Sequence, residues 1–326
     1  MGGKSIEGRG ATAAARARLL RWYRRRKRDL PWRRTTDPYA IWVSEIMLQQ
    51  TRVAAVVPYY ERFLHRFPDV GSLARATEDE VLALWSGLGY YRRARFLHAA
   101  ARIVHEEGMP GDAAGLRRLP GVGAYTAAAI ASIAFGECAA VVDGNVERVL
   151  SRLHAIRRDP ARVRDLADGW ISPRAPANHN QAVMELGATV CTPRSPACDR
   201  CPLRRDCAGR DEPERYPAPR ARPKPVLVPR AVAFDVVRGR VRLVRRGADG
   251  ALARMWDLPS AQGNTPARAT VRHSILDRKL LLSIHAEPAP GAGRRFSAAE
   301  VERLPLATAA RKCLRRMGFL ARSDSA

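Results

Sequence analysis

A mainly helical region followed by a small α+β domain is the architecture predicted for this chain of 326 residues. Three observations predict it. Residues 11–210 carry helical hydrophobic periodicity with capping signals. Residues 211–229 hold Pro213, Pro217, Pro219, Pro223, Pro225 and Pro229, which stiffen the chain and oppose a helix. Short β-like runs then follow at 231–237, 241–244 and 280–285.

In the helical part, Asp37-Pro38 reads as an N-cap with proline at the first helical position, opening a helix through Ile41, Trp42, Glu45 and Ile46. A second helix is predicted over 53–67. Thr77 and Glu80 form a capping box ahead of Val81, Leu82, Leu84 and Trp85, and Gly87-Leu88-Gly89 stops that helix. Further helices are expected at 91–106, 112–118, 124–135, 144–154, 161–171 and 178–190, with no internal repeat of 20–50 residues. The expected domains are 16–210, a linker at 211–229 and an α+β domain at 230–326. Residues 1–15 read as a disordered terminus or tag remnant, because Ile6-Glu7-Gly8-Arg9 resembles a protease site used in expression tags.

A hydrophobic fraction of 46% is ordinary for a folded protein. No apolar run approaches the ~18 residues that span a bilayer. The net charge of +25, mostly arginine, points to a polyanion such as nucleic acid. Arginine bias from a GC-rich genome is the bland alternative.

Four of the six cysteines fall in the run Cys191-x6-Cys198-x2-Cys201-x5-Cys207. Four thiolates so spaced can wrap one metal centre. Zinc favours two compact pairs, whereas a [4Fe-4S] cube takes one thiolate per iron and tolerates unequal loops, so the cube is the leading reading and zinc the next. Disulfides rank last, since no secretory signal is apparent.

Leu119-Pro120-Gly121-Val122-Gly123 lies between two short predicted helices. Its glycines allow close backbone approach, and the following helix N-terminus can meet a phosphate; a tight packing turn is the alternative. Asp143-Gly144-Asn145 opens the next helix, where an N-cap aspartate is the ordinary role. Hairpin, aspartate and cysteine cluster in this order resemble the iron–sulfur branch of the helix-hairpin-helix DNA glycosylases. Trp42-Val43-Ser44-Glu45-Ile46-Met47-Leu48-Gln49-Gln50-Thr51 resembles the signature of the MutY family of adenine DNA glycosylases, as do Leu30-Pro31-Trp32-Arg33 and Gly87-Leu88-Gly89-Tyr90-Tyr91. The likeness covers about residues 16–210.

The resemblance implies a six-helix barrel plus an iron–sulfur helical domain, followed by a Nudix-like domain. It implies a monomeric cytoplasmic, nucleoid-associated enzyme on double-stranded DNA with adenine mispaired with 8-oxoguanine or G, with no membrane partner. Adenine leaves poorly as an anion, so a carboxylic acid must protonate N7, while a second carboxylate supports the sugar cation. Glu45 is assigned the first role and Asp143 the second; Asp143 is also expected to bond C1′ transiently, with Glu45 then activating water. Tyr125 and Asn145 complete the catalytic set. Tyr125 stands where lyase relatives carry lysine, so a monofunctional enzyme is expected. Trp32, Arg33, Gln50, Thr51, Leu88, Tyr90, Gly121, Val122 and Gly123 are the expected DNA contacts, Gln50, Thr51, Leu88 and Tyr90 filling the vacated stack. Arg194, Arg200, Arg204 and Arg205 are expected to face phosphates.

A thymine or uracil mismatch glycosylase, or a DNA-binding protein that keeps only the scaffold, are the alternatives. In the C-terminal domain, Met255-Trp256-Asp257-Leu258-Pro259 matches a family element and no Nudix hydrolase box is present. The family's Phe-Ser-His loop is missing; Ile275-Leu276-Asp277 follows His273-Ser274. That departure implies weaker discrimination of 8-oxoguanine from G.

Overall fold

Thirteen α-helices, three short 3-10 helices and seven strands lie in the described part of the chain, a computed structural model covering residues 11–219, 225–275 and 277–321. In order they are α1 (Ala13–Arg26), α2 (Pro38–Leu48), α3 (Val53–Arg66), α4 (Val70–Arg75), α5 (Glu78–Trp85), α6 (Arg92–Glu107), α7 (Ala113–Leu116), α8 (Ala124–Ala134), α9 (Gly144–Leu153), α10 (Pro160–Trp170) and α11 (Pro176–Thr189). After them come β1 (Val226–Ala233), β2 (Val236–Val237), β3 (Arg240–Arg245), β4 (Trp256–Asp257), β5 (Ala267–Ile275), β6 (Arg278–His285), β7 (Arg294–Phe296), α12 (Ala298–Glu302) and α13 (Thr308–Arg316).

Local signals set the boundaries. The Asp37 carboxylate accepts from the Tyr39 and Ala40 amides, and Pro38 takes the first helical position of α2. Thr77 and Glu80 close the capping box of α5 as expected. The disorder expected over 1–15 does not hold for residues 13–15. Helix α1 already begins at Ala13, because the Thr12 side chain accepts from the Ala15 amide; residues 1–10 lie outside the described part.

The chain divides into two compact units, Met1–Gln50 with Ala100–Ala221 and Thr51–Ala99 with Arg222–Ala326. Residues 51–99 thus pack with the C-terminal region, across the domain boundary expected from sequence. Side chains explain this: the Tyr91 hydroxyl lies 2.7 Å from Thr308 Oγ1, Ser86 donates to the Leu306 carbonyl at 2.9 Å, and Arg95 donates to the Ala253 carbonyl at 2.7 Å.

The core of the first unit joins Leu19 and Tyr23 of α1 to Val146, Leu150 and Leu153 of α9, Trp170 of α10 and Leu186 of α11. Cys191, Cys201 and Cys207 pack against this cluster. Helix α2 is apolar nearly all round, the pattern of a core helix; Tyr39 through Met47 are all buried. Glu45 is the one ionisable carboxyl in that buried run.

In the second unit, Phe63 of α3 meets Phe67 and Trp85 edge-on, with ring centroids 5.1 and 5.9 Å apart. One sheet has the order β1-β6-β5, with β1 parallel and β5 antiparallel to β6; the other pairs β3 with β2, β4 and β7. The strand expected over 231–237 is two strands in different sheets. Asp235 breaks it: the buried carboxylate accepts from Arg295 at 2.8 Å and from the Ala289 amide, turning the chain. The expected linker also ends early, because β1 starts at Val226 and carries Pro229. Proline is tolerated there because β1 is an edge strand of its sheet.

Candidate active site

Glu45 is 5% exposed and lies among Ile41, Trp42 and Ile46, all buried. Burial pushes its carboxyl from 4.5 up to about 7. A hydrogen bond from Tyr125 opposes the rise, the negative charge of Asp143 adds to it, and the positive charge of Arg33 lowers it. Its Oε2 is buried with no hydrogen-bond partner, a polar atom left for something else to satisfy. Tyr125 stands in the first turn of α8, its hydroxyl 3.4 Å from Met184 Sδ. Burial, first, and the nearby acids hold that phenol far above its ordinary value, so it stays a donor.

Asp143 caps α9, accepting from the Asn145 amide at 2.9 Å and the Val146 amide at 2.7 Å. The Asn145 side chain donates to Asp143 Oδ2 at 3.0 Å, and Arg148 donates to Asn145 Oδ1 at 2.8 Å and to the Cys191 carbonyl at 2.7 Å. Three charge-favouring donors on Asp143 suit an anion, while Glu45 is placed to be neutral. The segment leading into Asp143 is held by buried Asn180. Asn180 donates to Ser132 Oγ and the Ala139 carbonyl, each at 2.8 Å, and accepts from the Val141 amide.

Trp32 and Arg33, two of the expected DNA contacts, are turned largely inward. Trp32 is 8% exposed. Arg33 donates to Glu185 Oε2 at 2.8 Å and to the Arg28 carbonyl, while Arg28 takes both oxygens of the same carboxylate at 2.8 and 2.7 Å. Two guanidiniums hold Glu185 down at about 2, against the burial that would raise it. Sequence reasoning missed Glu185 and Arg28. The available signal was an acid in the apolar stripe Val183-Met184-Glu185-Leu186.

The hairpin joins α7 to α8. Gly121 has φ +77°, where a side chain would be strained, and Gly123 caps α8 without a side-chain acceptor, leaving amides of the first turn free. Gly121 and Gly123 are exposed while Val122 is buried. Gln50, exposed, is a non-glycine residue at φ +56°, a conformation that costs of order 1–3 kcal/mol and collects at functional sites.

In the second unit, Tyr90 is 41% exposed with φ +51°, its ring 5.1 Å from the Arg93 guanidinium, which also donates to Thr51 Oγ1 at 3.0 Å. Leu88 departs from expectation. It is 7% exposed, because the turn through Gly87 at φ +107° leaves Tyr90, not Leu88, at the surface.

Cys191, Cys198, Cys201 and Cys207 line one cavity with Val190 and Pro196. The Arg152 guanidinium, buried, donates to Cys191 Sγ at 3.3 Å and to the Thr192 and Pro193 carbonyls. Its backbone carbonyl accepts from Cys207 Sγ at 3.3 Å. Burial pushes the Cys201 thiol up to about 12 and Cys207 to about 11; a bound iron–sulfur cluster would supply the positive charge that favours their thiolates. Arg194, Arg200, Arg204 and Arg205 are exposed on this loop.

Comparisons with known proteins agree with this layout. Residues 43–173 match the family model of the HhH-GPD superfamily base excision DNA repair proteins, and 191–207 match the iron–sulfur binding domain of endonuclease III. The human adenine DNA glycosylase is 50% identical over 220 residues, 62% of this chain and 40% of that protein. The Arabidopsis thaliana adenine DNA glycosylase is 38% identical over 316 residues, 82% of this chain and 50% of that protein. The chain therefore spans half or less of the length of these two relatives. A solved thermostable thymine-DNA glycosylase superposes with a TM-score of 0.56 at 29% identity, over 60% of this chain and 95% of that one. The match over 191–207 spans all four cysteines and supports a [4Fe-4S] cluster in this chain.

Two outcomes follow. The folded state of Glu45 binds its proton up to about pH 7, against 4.5 for an exposed glutamate, so its contribution to stability is complete below 4.5 and lost as pH rises through 7. Glu45→Gln removes a penalty of roughly 3 kcal/mol at alkaline pH, so its Tm should exceed that of wild type at pH 8 and converge on it at pH 4.5. A Tm difference independent of pH would contradict this. Cys201→Ser should yield protein lacking the absorption near ~400 nm that marks a loaded cluster.

Proposed function

We propose, for a MutY-like chain that belongs to the HhH-GPD superfamily of base excision DNA repair proteins, the hydrolytic removal of mispaired adenine from duplex DNA. The observation that carries this reading is Glu45, a carboxyl that keeps its proton to about pH 7 and has an unsatisfied oxygen. Adenine that has left the stack presents N7 to Glu45. Proton transfer to N7 lets the C1′–N9 bond break with its electron pair going to the base. Asp143, charged and fixed by three donors, faces the cationic sugar. Glu45, now a carboxylate, takes the proton of the water that adds to C1′. Tyr125 holds the acid, Asn145 holds Asp143, and the absence of lysine at position 125 leaves no amine for strand cleavage through a Schiff base.

DNA is held, on this reading, by the Gly121-Val122-Gly123 amides at a backbone phosphate and by the exposed arginines of the cysteine loop. Gln50, Thr51 and Tyr90 occupy the vacated stack. The iron–sulfur centre stiffens the loop and takes no part in hydrolysis.

The structural likeness to a thymine-DNA glycosylase supports a second reading, excision of thymine or uracil. The higher identity to adenine-specific relatives favours adenine. Discrimination of the opposite base is a separate matter. Ile275 pairs with Arg278, so only positions 276 and 277 connect β5 to β6, and Leu276 lies outside the described residues. Asp277 is an acid, and beside DNA phosphates it would repel them, which supports a weaker grip on a lesion.

Glu45→Gln and Asp143→Asn should bind an A:8-oxoguanine duplex as wild type does and lose base release by ~100-fold or more in single turnover. Wild-type release should fall as pH rises above about 7, where Glu45 loses the proton it donates. Normal release by either variant, or preferred release of thymine or uracil, would overturn the assignment. Comparing single-turnover rates and affinities on A:8-oxoguanine and A:G duplexes should reveal a reduced preference for the lesion. A ratio as large as that of a relative with the Phe-Ser-His loop would refute that part.

A further inference from the structure

The second unit contains a cavity of about 440 Å³ that the catalytic reading leaves unused. Arg62 of α3 and Arg311, Lys312 and Arg315 of α13 line it, opposed by a single carboxylate, Glu302. Thr308 lines it too, so positions 308, 311, 312 and 315 form one stripe along α13. Four cations over one acid repel each other, and a bound anion relieves that repulsion. Arg311 is 9% exposed. Its Nη1 donates to Glu302 at 2.8 Å and its Nη2 to Ser86 Oγ at 3.2 Å, while the buried Nε has no acceptor. Arg62 and Lys312 are exposed, and the Arg62 guanidinium lies 4.6 Å from the Tyr59 ring centroid, which lines the same cavity. Helix α13 also begins without a side-chain cap at Ala307, adding the positive end of its dipole.

We propose that this cavity is a phosphate-binding site for the DNA backbone, an inference that rests on the reading of the chain as a DNA glycosylase. The neighbouring turn selects backbone phosphate over a free anion. Gly87 lines the cavity and Tyr90 stands three residues later, at most roughly 11 Å away along the chain. A ring that enters the base stack at Tyr90 brings a phosphate of the same duplex within reach of Arg62 and Lys312. The contact positions the duplex and reads no sequence.

The test uses the full chain with its cluster and measures duplex affinity by fluorescence anisotropy over a salt series, for wild type, Arg62→Ala and Lys312→Glu. Both side chains are exposed, and equal Tm values confirm that the variants fold. Each variant is expected to weaken matched and mispaired duplexes alike, several-fold, and to reduce the slope of log affinity against log salt by about one. Single-turnover base release at saturating enzyme should be unchanged. Wild-type affinity and slope in both variants would overturn the site. So would tight binding of inorganic phosphate or AMP that the variants abolish while duplex affinity stays constant, since the cavity would then serve a small free anion. A protein that shows the expected slope change but releases no adenine would keep the site and sink the glycosylase reading; adenine release with unaltered slopes would do the reverse.

Discussion

The desolvation of Glu45 is the constraint on which the rest of the site depends. A carboxyl in a helix buried on every side cannot be hydrated, so its proton stays on near neutral pH. Everything around it keeps that condition tolerable without cancelling it. Tyr125 and Arg33 each favour the charged form of Glu45, and Arg33 is also paired with Glu185.

Asp143 works under the opposite requirement, and the fold meets it by position. At a helix N-terminus a carboxylate collects amide donors that an acid inside a helix cannot reach. Arg148 extends that arrangement, linking Asn145 to the carbonyl of Cys191. Arg148 therefore ties Asn145, the partner of Asp143, to the backbone of Cys191. On the proposed reading this would couple the cysteine loop to the site by structure alone.

Local chemistry announced the helices and the two carboxylates. Asp37-Pro38 and the Thr77–Glu80 box mark their helices with residues whose hydrogen bonds close within a turn. Glu45 and Asp143 stood out as acids in a specific order with the hairpin and the cysteines. Long-range pairing was not readable in the same way. Glu185 sits 157 positions from Arg28, and no local pattern announces that pair. Trp32, Arg33 and Leu88 look like surface groups in a motif, but burial is decided by the elements packed over them. Asp235 ended a strand that β-propensity alone would have continued, because its partners Ala289 and Arg295 lie 54 and 60 residues further on.

Helix α8 carries the hairpin amides at its start and Tyr125 within the same first turn, two residues past Gly123. On the proposed reading the grip and the chemistry share one rigid turn, about 3 Å apart along the helix axis. If the hairpin amides hold a phosphate as proposed, that phosphate and Tyr125 are set at one fixed spacing that no side-chain rotation can change.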